Sequence, residues 1–407
     1  MKVNKYFPFA FIYFFINTLG LPLGLTYTAI LSPFFYWWVT IKRKQEILLP
    51  FLGVILLFAV IHFSNGVDQT SYIISLFNIL VVYIFCQAAY TFFKTCKSIE
   101  HIYWRLFVIN FILCILAVPL YFTGYKNILW IEQYLTEGVN NFLRLKLFTY
   151  EASYYATLFT PLFFFFFLQV ILKQNKHSVW KLLPMLFLPY LLSFSLGVIS
   201  SVLVAISVMY LFYFKKLTRK KRVINIIFLS TSAFIFLAVI LLVFFPDNTL
   251  FLRIANIFTG DDSSGRGRTF EAFILADKML SEKSHVWGIG LGQIKILGSE
   301  IIRDFYVYPL DYNVFTIPNA VAETWAIFGW VGLVLRIFIE IVLFFYTRTW
   351  TNYYRLLLFS FIFLYQFTGS FITNIAEYVI WILAFTNAFP QFDVRQLPKT
   401  TKKHSTN

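Results

Sequence analysis

Three short stretches of this chain carry the residue types that handle phosphates and protons. In the first, Arg144 and Glu151 stand seven apart in the run from Asn141 to Ala156, with Lys146 and Tyr154 beside them. A guanidinium can hold a phosphate or diphosphate through two parallel hydrogen bonds, and a carboxylate can take the proton of a hydroxyl. The second holds Arg266 and Arg268, separated by one glycine and preceded by Asp261 and Asp262. Flexible glycines let backbone N–H groups approach an anion that the arginines neutralise. The third runs from Ile317 to Gly332, where Asn319 and Glu323 are four apart and share a helix face. Each has a plainer reading. Arg and Tyr flank membrane spans as interfacial anchors. The aspartate pair fits a divalent cation, a helix cap or a solvated loop equally. Glu323 packed on a neighbour would be a structural acid, although carboxylates inside a membrane are functional by default.

What positions these residues follows from composition. At 59% hydrophobic and 13% charged, with a mean hydropathy of +0.72, the chain is no soluble domain around one core. It reads as a polytopic all-α membrane protein. About twelve apolar runs are long enough, or nearly so, to span a bilayer as helix. They fall near 6–19, 23–41, 47–64, 71–93, 106–123, 153–173, 182–196, 198–214, 223–245, 318–346, 356–372 and 374–390. Residues 1–390 thus form one membrane domain, and 391–407 a basic tail. A polar segment of roughly seventy residues, about 246–316, interrupts the pattern and should contain short helices. The first run follows Lys2 and Lys5 with no small-residue cleavage site after it, which reads as a retained helix. Cys86, Cys96 and Cys114 lie in or beside apolar runs, supporting neither disulfides nor a thiolate metal site. No metal or cofactor is expected.

The net charge of +15 is a topology signal rather than a nucleic-acid footprint. Most Lys and Arg fall on one side if the runs alternate, while the turns near Leu21, Asp68, Gly197 and Phe371 carry none. By the positive-inside rule both termini are cytoplasmic. The segments 124–152 and 246–316 then face outward. Lys215 to Arg222 anchors the inner face to anionic lipid. From Thr269 to Leu280 an amphipathic helix is predicted, with Phe270, Phe273, Ile274 and Met279 or Leu280 as its apolar stripe, lying on the outer leaflet. Gly288-x-Gly290-x-Gly292 lacks the strand and helix that a dinucleotide site needs. Arg336 and Glu340 read as an intrahelical ion pair. His62 and Glu377 have no partner legible in the sequence.

Taken in order, these segments resemble the Wzy-type polysaccharide repeat-unit polymerases, relatives of the O-antigen ligases. The resemblance is carried by Arg144 ahead of Tyr150-Glu151-Ala152-Ser153-Tyr154-Tyr155-Ala156, by Arg268 upstream of Trp287-Gly288-Ile289-Gly290, and by Asn319 leading to Phe328-Gly329-Trp330-Val331-Gly332. It implies extension of an undecaprenyl-diphosphate-linked oligosaccharide at the outer face of a bacterial inner membrane, giving O-antigen, capsule or exopolysaccharide. Arg144 and Arg268 would grip the diphosphate with Arg266 and Lys146 nearby, while Tyr154 and Asn319 line the substrate site. Glu151 and Glu323 stand as the catalytic carboxylates, candidate bases for the acceptor hydroxyl, alongside Arg268. A chain-length regulator and a flippase are the partners it implies. The ligase branch often has His before the residue matching Asn319, where this chain has Pro318. That places the ligase second. A flippase or secondary transporter also fits the number of runs, but no internal repeat is visible.

Overall fold

The computed structural model describes residues 6–19, 21, 26–133, 142–175, 177–214, 263–307 and 316–395. The predicted run 223–245, Asp261 and Asp262, Lys215 to Arg222, Lys2, Lys5 and the tail beyond 395 lie outside the described residues. The chain is mostly helical. Its helices are α1 (Phe7–Phe11), α2 (Tyr27–Ile30), α3 (Ser32–Trp37), α4 (Leu48–Ser64), α5 (Gln69–Thr95), α6 (Ile99–Tyr121), α7 (Ala152–Ile171), α8 (Val179–Ser193), α9 (Leu196–Phe212), α10 (Ser263–Arg268), α11 (Phe270–Ser281), α12 (Leu297–Tyr306), α13 (Ala320–Tyr346), α14 (Tyr353–Tyr365) and α15 (Ile375–Phe385). One π-helical turn extends α1 over Ile12–Ile16 and another extends α3 over Trp38–Lys42. Among the described residues, α5, α6, α7 and α13 are long and apolar enough to cross a membrane, and several shorter apolar helices accompany them.

Between α6 and α7 a small sheet interrupts the helices: β1 (Trp130–Gln133) pairs antiparallel with β2 (Phe142–Leu145), Trp130 opposite Leu145 and Ile131 opposite Arg144. A hairpin satisfies backbone groups that a segment leaving a helix bundle cannot bond internally. The amphipathic helix α11 buries Ala272, Leu275, Ala276, Met279 and Leu280 against α13, whereas Phe270 and Ile274 are exposed. The stripe at positions i, i+3, i+4, i+7 and i+8 therefore starts at Ala272, and the two larger residues point away from it. The run 182–214 does divide in two. Its break lies at Phe194 and Ser195, where Phe194 takes a left-handed backbone (φ 46°), and Gly197 is inside α9.

Helix starts follow side-chain caps. Asp68 accepts from Ser71 N at 2.7 Å to open α5, and Asn319, Asn352 and Asn374 cap α13, α14 and α15. Helix α7, with Phe163 to Phe166 in sequence, is apolar all round and almost wholly buried, as such a helix must be. It is the centre of the larger of two apolar clusters. The smaller forms around α11, the loop after it and the start of α13.

That loop is held by an exchange of backbone hydrogen bonds. Helix α13 is broken at Gly329 (φ 64°, ψ −163°), which would orphan two carbonyls and two N–H groups. Ile289 N donates to Ala326 O at 2.9 Å and Gly290 N to Ile327 O at 3.0 Å. In return Trp330 N donates to His285 O at 2.9 Å and Val331 N to Val286 O at 3.1 Å. The two backbones approach so closely that a Cβ on Gly288 would overlap the Ile327 carbonyl, and one on Gly329 the Val286 carbonyl. The same loop reaches the turn between α4 and α5. Lys283 Nζ donates to Asn65 O and Gly66 O, the Gln293 side chain bonds Asp68 both ways, and His62 Nε2 bonds Trp287 O at 2.8 Å. His62 thus has partners, Tyr72 Oη being the second at 3.3 Å.

The pair Arg336–Glu340 is part of a larger cluster. Arg336 contacts Glu340 at 3.3 Å, Gln366 at 2.9 Å, Thr324 at 3.0 Å and Glu377 on α15 at still closer range. Gln366 also donates to Glu340 at 2.7 Å, and Ser370 to Glu377 at 2.6 Å. Glu377 is therefore a buried partner of Arg336 rather than a solitary acid.

Gly329→Ala is expected to destabilise the protein by about 2–3 kcal/mol, from the left-handed backbone and the overlap together. Gly53→Ala, whose Cβ meets nothing within 4 Å, should stay within about 0.5 kcal/mol. Thermal unfolding in detergent reads both. Arg336→Gln leaves two buried carboxylates without their cation and should cost about 3–5 kcal/mol in the same assay.

Candidate functional site

Three segments remote in sequence meet at one point. Glu151, the residue before α7, forms an ion pair with Arg268, the last residue of α10, at 3.1 Å. Asn319 completes the meeting: its Oδ1 caps α13 through Val321 N and Ala322 N, while its Nδ2 donates to Arg268 O at 2.8 Å and Phe367 O at 2.7 Å. One buried amide therefore fixes the arginine's backbone relative to two helices, and the carboxylate aims its guanidinium. Both charged side chains keep about a third of their surface open, 32% for Arg268 and 27% for Glu151.

Tyr150, Ser153, Tyr154, Pro318, Tyr365, Ser370, Phe371 and Asn374 enclose the pair in a small polar pocket of about 20 Å³. That is room for about one water molecule. A larger ligand would enter by displacing side chains. Ser370 and Asn374 had no signal in the sequence beyond the polar residues clustered in the uncharged turn 366–374, and their bonds extend the pocket inward. Asn374 Nδ2 donates to Ser370 Oγ at 2.9 Å, and Ser370 in turn donates to Glu377.

The other expected residues differ in what they contact. Arg144, on β2, is 6% exposed and donates from Nε to Ser193 O at 2.9 Å, so it braces the end of α8. Its charge still reaches Glu151. Lys146 is half-buried and its ammonium makes no hydrogen bond among the described residues; burial lowers its pKa. Arg266 pairs with Glu271 at 2.9 Å, and Glu271 also accepts from Tyr306 Oη at 2.9 Å. Tyr154 lines the pocket one residue beyond Ser153. Glu323 is not brought to the pair. Its carboxylate accepts from Ile372 N at 2.7 Å and does not line the pocket.

Opposing effects act on Glu151. Burial pushes its carboxyl up, but the Arg268 charge, hydrogen bonds from Ser153 and Arg268, and the Arg144 charge outweigh it and hold the pKa below the usual value. Glu151 is thus ionised at neutral pH and committed to Arg268. An anion arriving at Arg268 would compete for the guanidinium and leave the carboxylate able to accept a proton. Among the described residues no group of three or more His, Cys, Asp or Glu is placed to hold a metal ion.

Side-chain bonds also join loops that are far apart in the sequence. Thr18 bonds Phe148 O, Arg144 bonds Ser193 O, Lys283 bonds the 65–66 turn, and Glu323 bonds Ile372. A second set links other loops: Gln391 bonds Glu100, Gln174 bonds Gln391 O, and Asn352 bonds Asp393. Comparison with protein-family models and with curated proteins matched nothing.

The sign of the Glu151 shift sets a pH dependence. A carboxyl whose folded pKa is depressed contributes stability above its unfolded value of about 4.3 and loses it as pH falls through the folded value. Glu151→Gln should cost about 1–2 kcal/mol at pH 7. The difference from wild type should shrink below about pH 4, read by thermal unfolding of both proteins across the range.

Proposed function

We propose that the chain is a twelve-span polymerase of a bacterial inner membrane, with both termini cytoplasmic, that joins undecaprenyl-diphosphate-linked oligosaccharide units at the outer face. The observation that carries this reading is the Glu151–Arg268 pair clasped by Asn319. It unites the three segments on which the sequence resemblance rests. In the reaction, an acceptor hydroxyl oxygen bonds to the anomeric carbon of the growing glycan. The bond from that carbon to the diphosphate oxygen breaks, the electron pair leaves with the lipid diphosphate, and the hydroxyl proton passes to Glu151. Arg268 is the principal grip on the diphosphate, flanked by Lys146 and Arg266, while Arg144 adds positive field from behind β2. Cations fixed by the fold would strengthen their hold as negative charge develops without reorganising. Glu151 is favoured over Glu323 as proton acceptor because it borders the pocket.

A ligase would use the same geometry with a different acceptor. A transporter reading draws on Arg336, Glu340 and Glu377, which are ionisable groups deep in the bundle. Those groups are bonded to one another and committed to holding helices together, which leaves that reading behind.

The test is complementation of a polymerase-deleted strain that carries the glycan locus belonging to this chain, read as a polymer ladder with membrane abundance checked. Wild type should restore the ladder. Arg268→Ala and Glu151→Gln should each lower polymer about 10²–10³-fold and leave single repeats. Normal ladders from both variants would refute the site assignment. Absence of any ladder with wild type would favour ligase or transporter, and loss of lipid-linked unit translocation would single out the transporter.

A further inference from the structure

A cavity larger than the polar pocket lies elsewhere in the bundle. It is an apolar cleft of about 490 Å³ bounded by α1 and α3 with their π-helical extensions, α5, α6 and α7. Its walls are aromatic and aliphatic, with Tyr13, Phe34, Phe85, Leu106 and Leu158 among them. One end differs. There Lys42 Nζ lies 5.3 Å from the ring centroid of Trp37, and the Arg43 guanidinium 5.6 Å from that of Trp38. Arg43 also donates to Tyr6 Oη at 3.5 Å. Both cations are exposed, and neither has a carboxylate within ion-pair distance among the described residues.

We infer that this cleft seats one acyl chain of an anionic phospholipid whose phosphate is held by Lys42 and Arg43. The apolar walls need an apolar occupant, since a soluble ligand would find few hydrogen-bonding partners inside them. At interior packing density a methylene occupies roughly 27 Å³, so the cleft has room for a chain on the order of 18 carbons. Two cations without a carboxylate partner among the described residues, each over a tryptophan ring, form the interfacial girdle that receives a phosphate at the rim. Charge selects the headgroup: a net-negative lipid gains from both cations, whereas a zwitterionic one presents its own amine to them. A lipid-linked diphosphate is a poorer occupant, because its charged end would belong at the Glu151–Arg268 pair, neither residue of which lines the cleft. Leu158 in the cleft wall stands one turn along α7 from Tyr154 in the polar pocket, so a filled cleft backs the helix that carries the site. The inference does not depend on the catalytic reading.

The experiment is native mass spectrometry of the purified full chain in mild detergent, titrated with phosphatidylglycerol and phosphatidylethanolamine of matched chains. Wild type should retain phosphatidylglycerol at least tenfold better than phosphatidylethanolamine. The double variant Lys42→Ala with Arg43→Ala should abolish that preference. Ala89→Leu, which fills the cleft, should lower retention of phosphatidylglycerol about tenfold with the cations intact. The exchanged pair Lys42→Arg with Arg43→Lys should bind as wild type, as should Lys94→Ala with Lys97→Ala, neither of which lines the cleft. Equal retention of the two lipids by wild type, undiminished phosphatidylglycerol on both the double-alanine and Ala89→Leu proteins, or its displacement by equimolar polyprenyl phosphate would overturn the inference.

Discussion

A helix that must be broken inside an apolar bundle has to place four backbone groups with new partners, because little water is there to take them. In this chain that constraint falls on α13 at Gly329, and the loop 285–290 supplies all four partners in one reciprocal exchange. Much else depends on it. The loop also binds the turn between α4 and α5, so the exchange ties the late polar segment to the front and back of the chain together. With the loop anchored, α11 lies along α13, and α10 before it presents Arg268 to Asn319 and Glu151. The glycines at 288 and 329 are required because neither backbone leaves space for a Cβ.

The charges divide into two kinds by their surroundings. Arg336, Glu340 and Glu377 are buried, mutually bonded and further satisfied by Gln366, Thr324 and Ser370. Such a cluster specifies how α13, α14 and α15 lock together, and its worth lies in the penalty for breaking it. Glu151 and Arg268 instead hold each other across a small pocket with part of their surface open. Their bond can be exchanged for a bond to a ligand without burying an unpaired charge. That difference in exchangeability, rather than the number of charges, separates the candidate site from the structural core.

Helix α7 connects the two cavities. Its N-terminal end carries Glu151, Ser153 and Tyr154 into the polar pocket, and its middle supplies Leu158, Pro161 and Leu162 to the apolar cleft. Packing around its phenylalanines leaves little freedom for independent movement, so whatever fills the cleft is felt by a helix that is already the best-buried element.

The apolar runs and the helical class were legible from residue order alone, because hydropathy acts locally and sums along the chain. So were Arg268, Glu151 and Asn319 as residues of interest, through their types and their place at the edges of apolar runs. Their meeting was not, since Glu151 and Arg268 are 117 residues apart and nothing in either segment encodes the other. Glu323 failed to join them for the same reason: sharing a helix face with Asn319 says which way it points, not what lies opposite, and the N–H of Ile372 lies there. The hairpin of β1 and β2, the partners of His62 and Glu377, and the use of three glycines as a clasp rather than a ligand loop belong to tertiary structure as well. Sequence determines which segments are apolar and which residues carry charge. Only packing decides which charges become neighbours, because that choice is made by non-local contacts between helices.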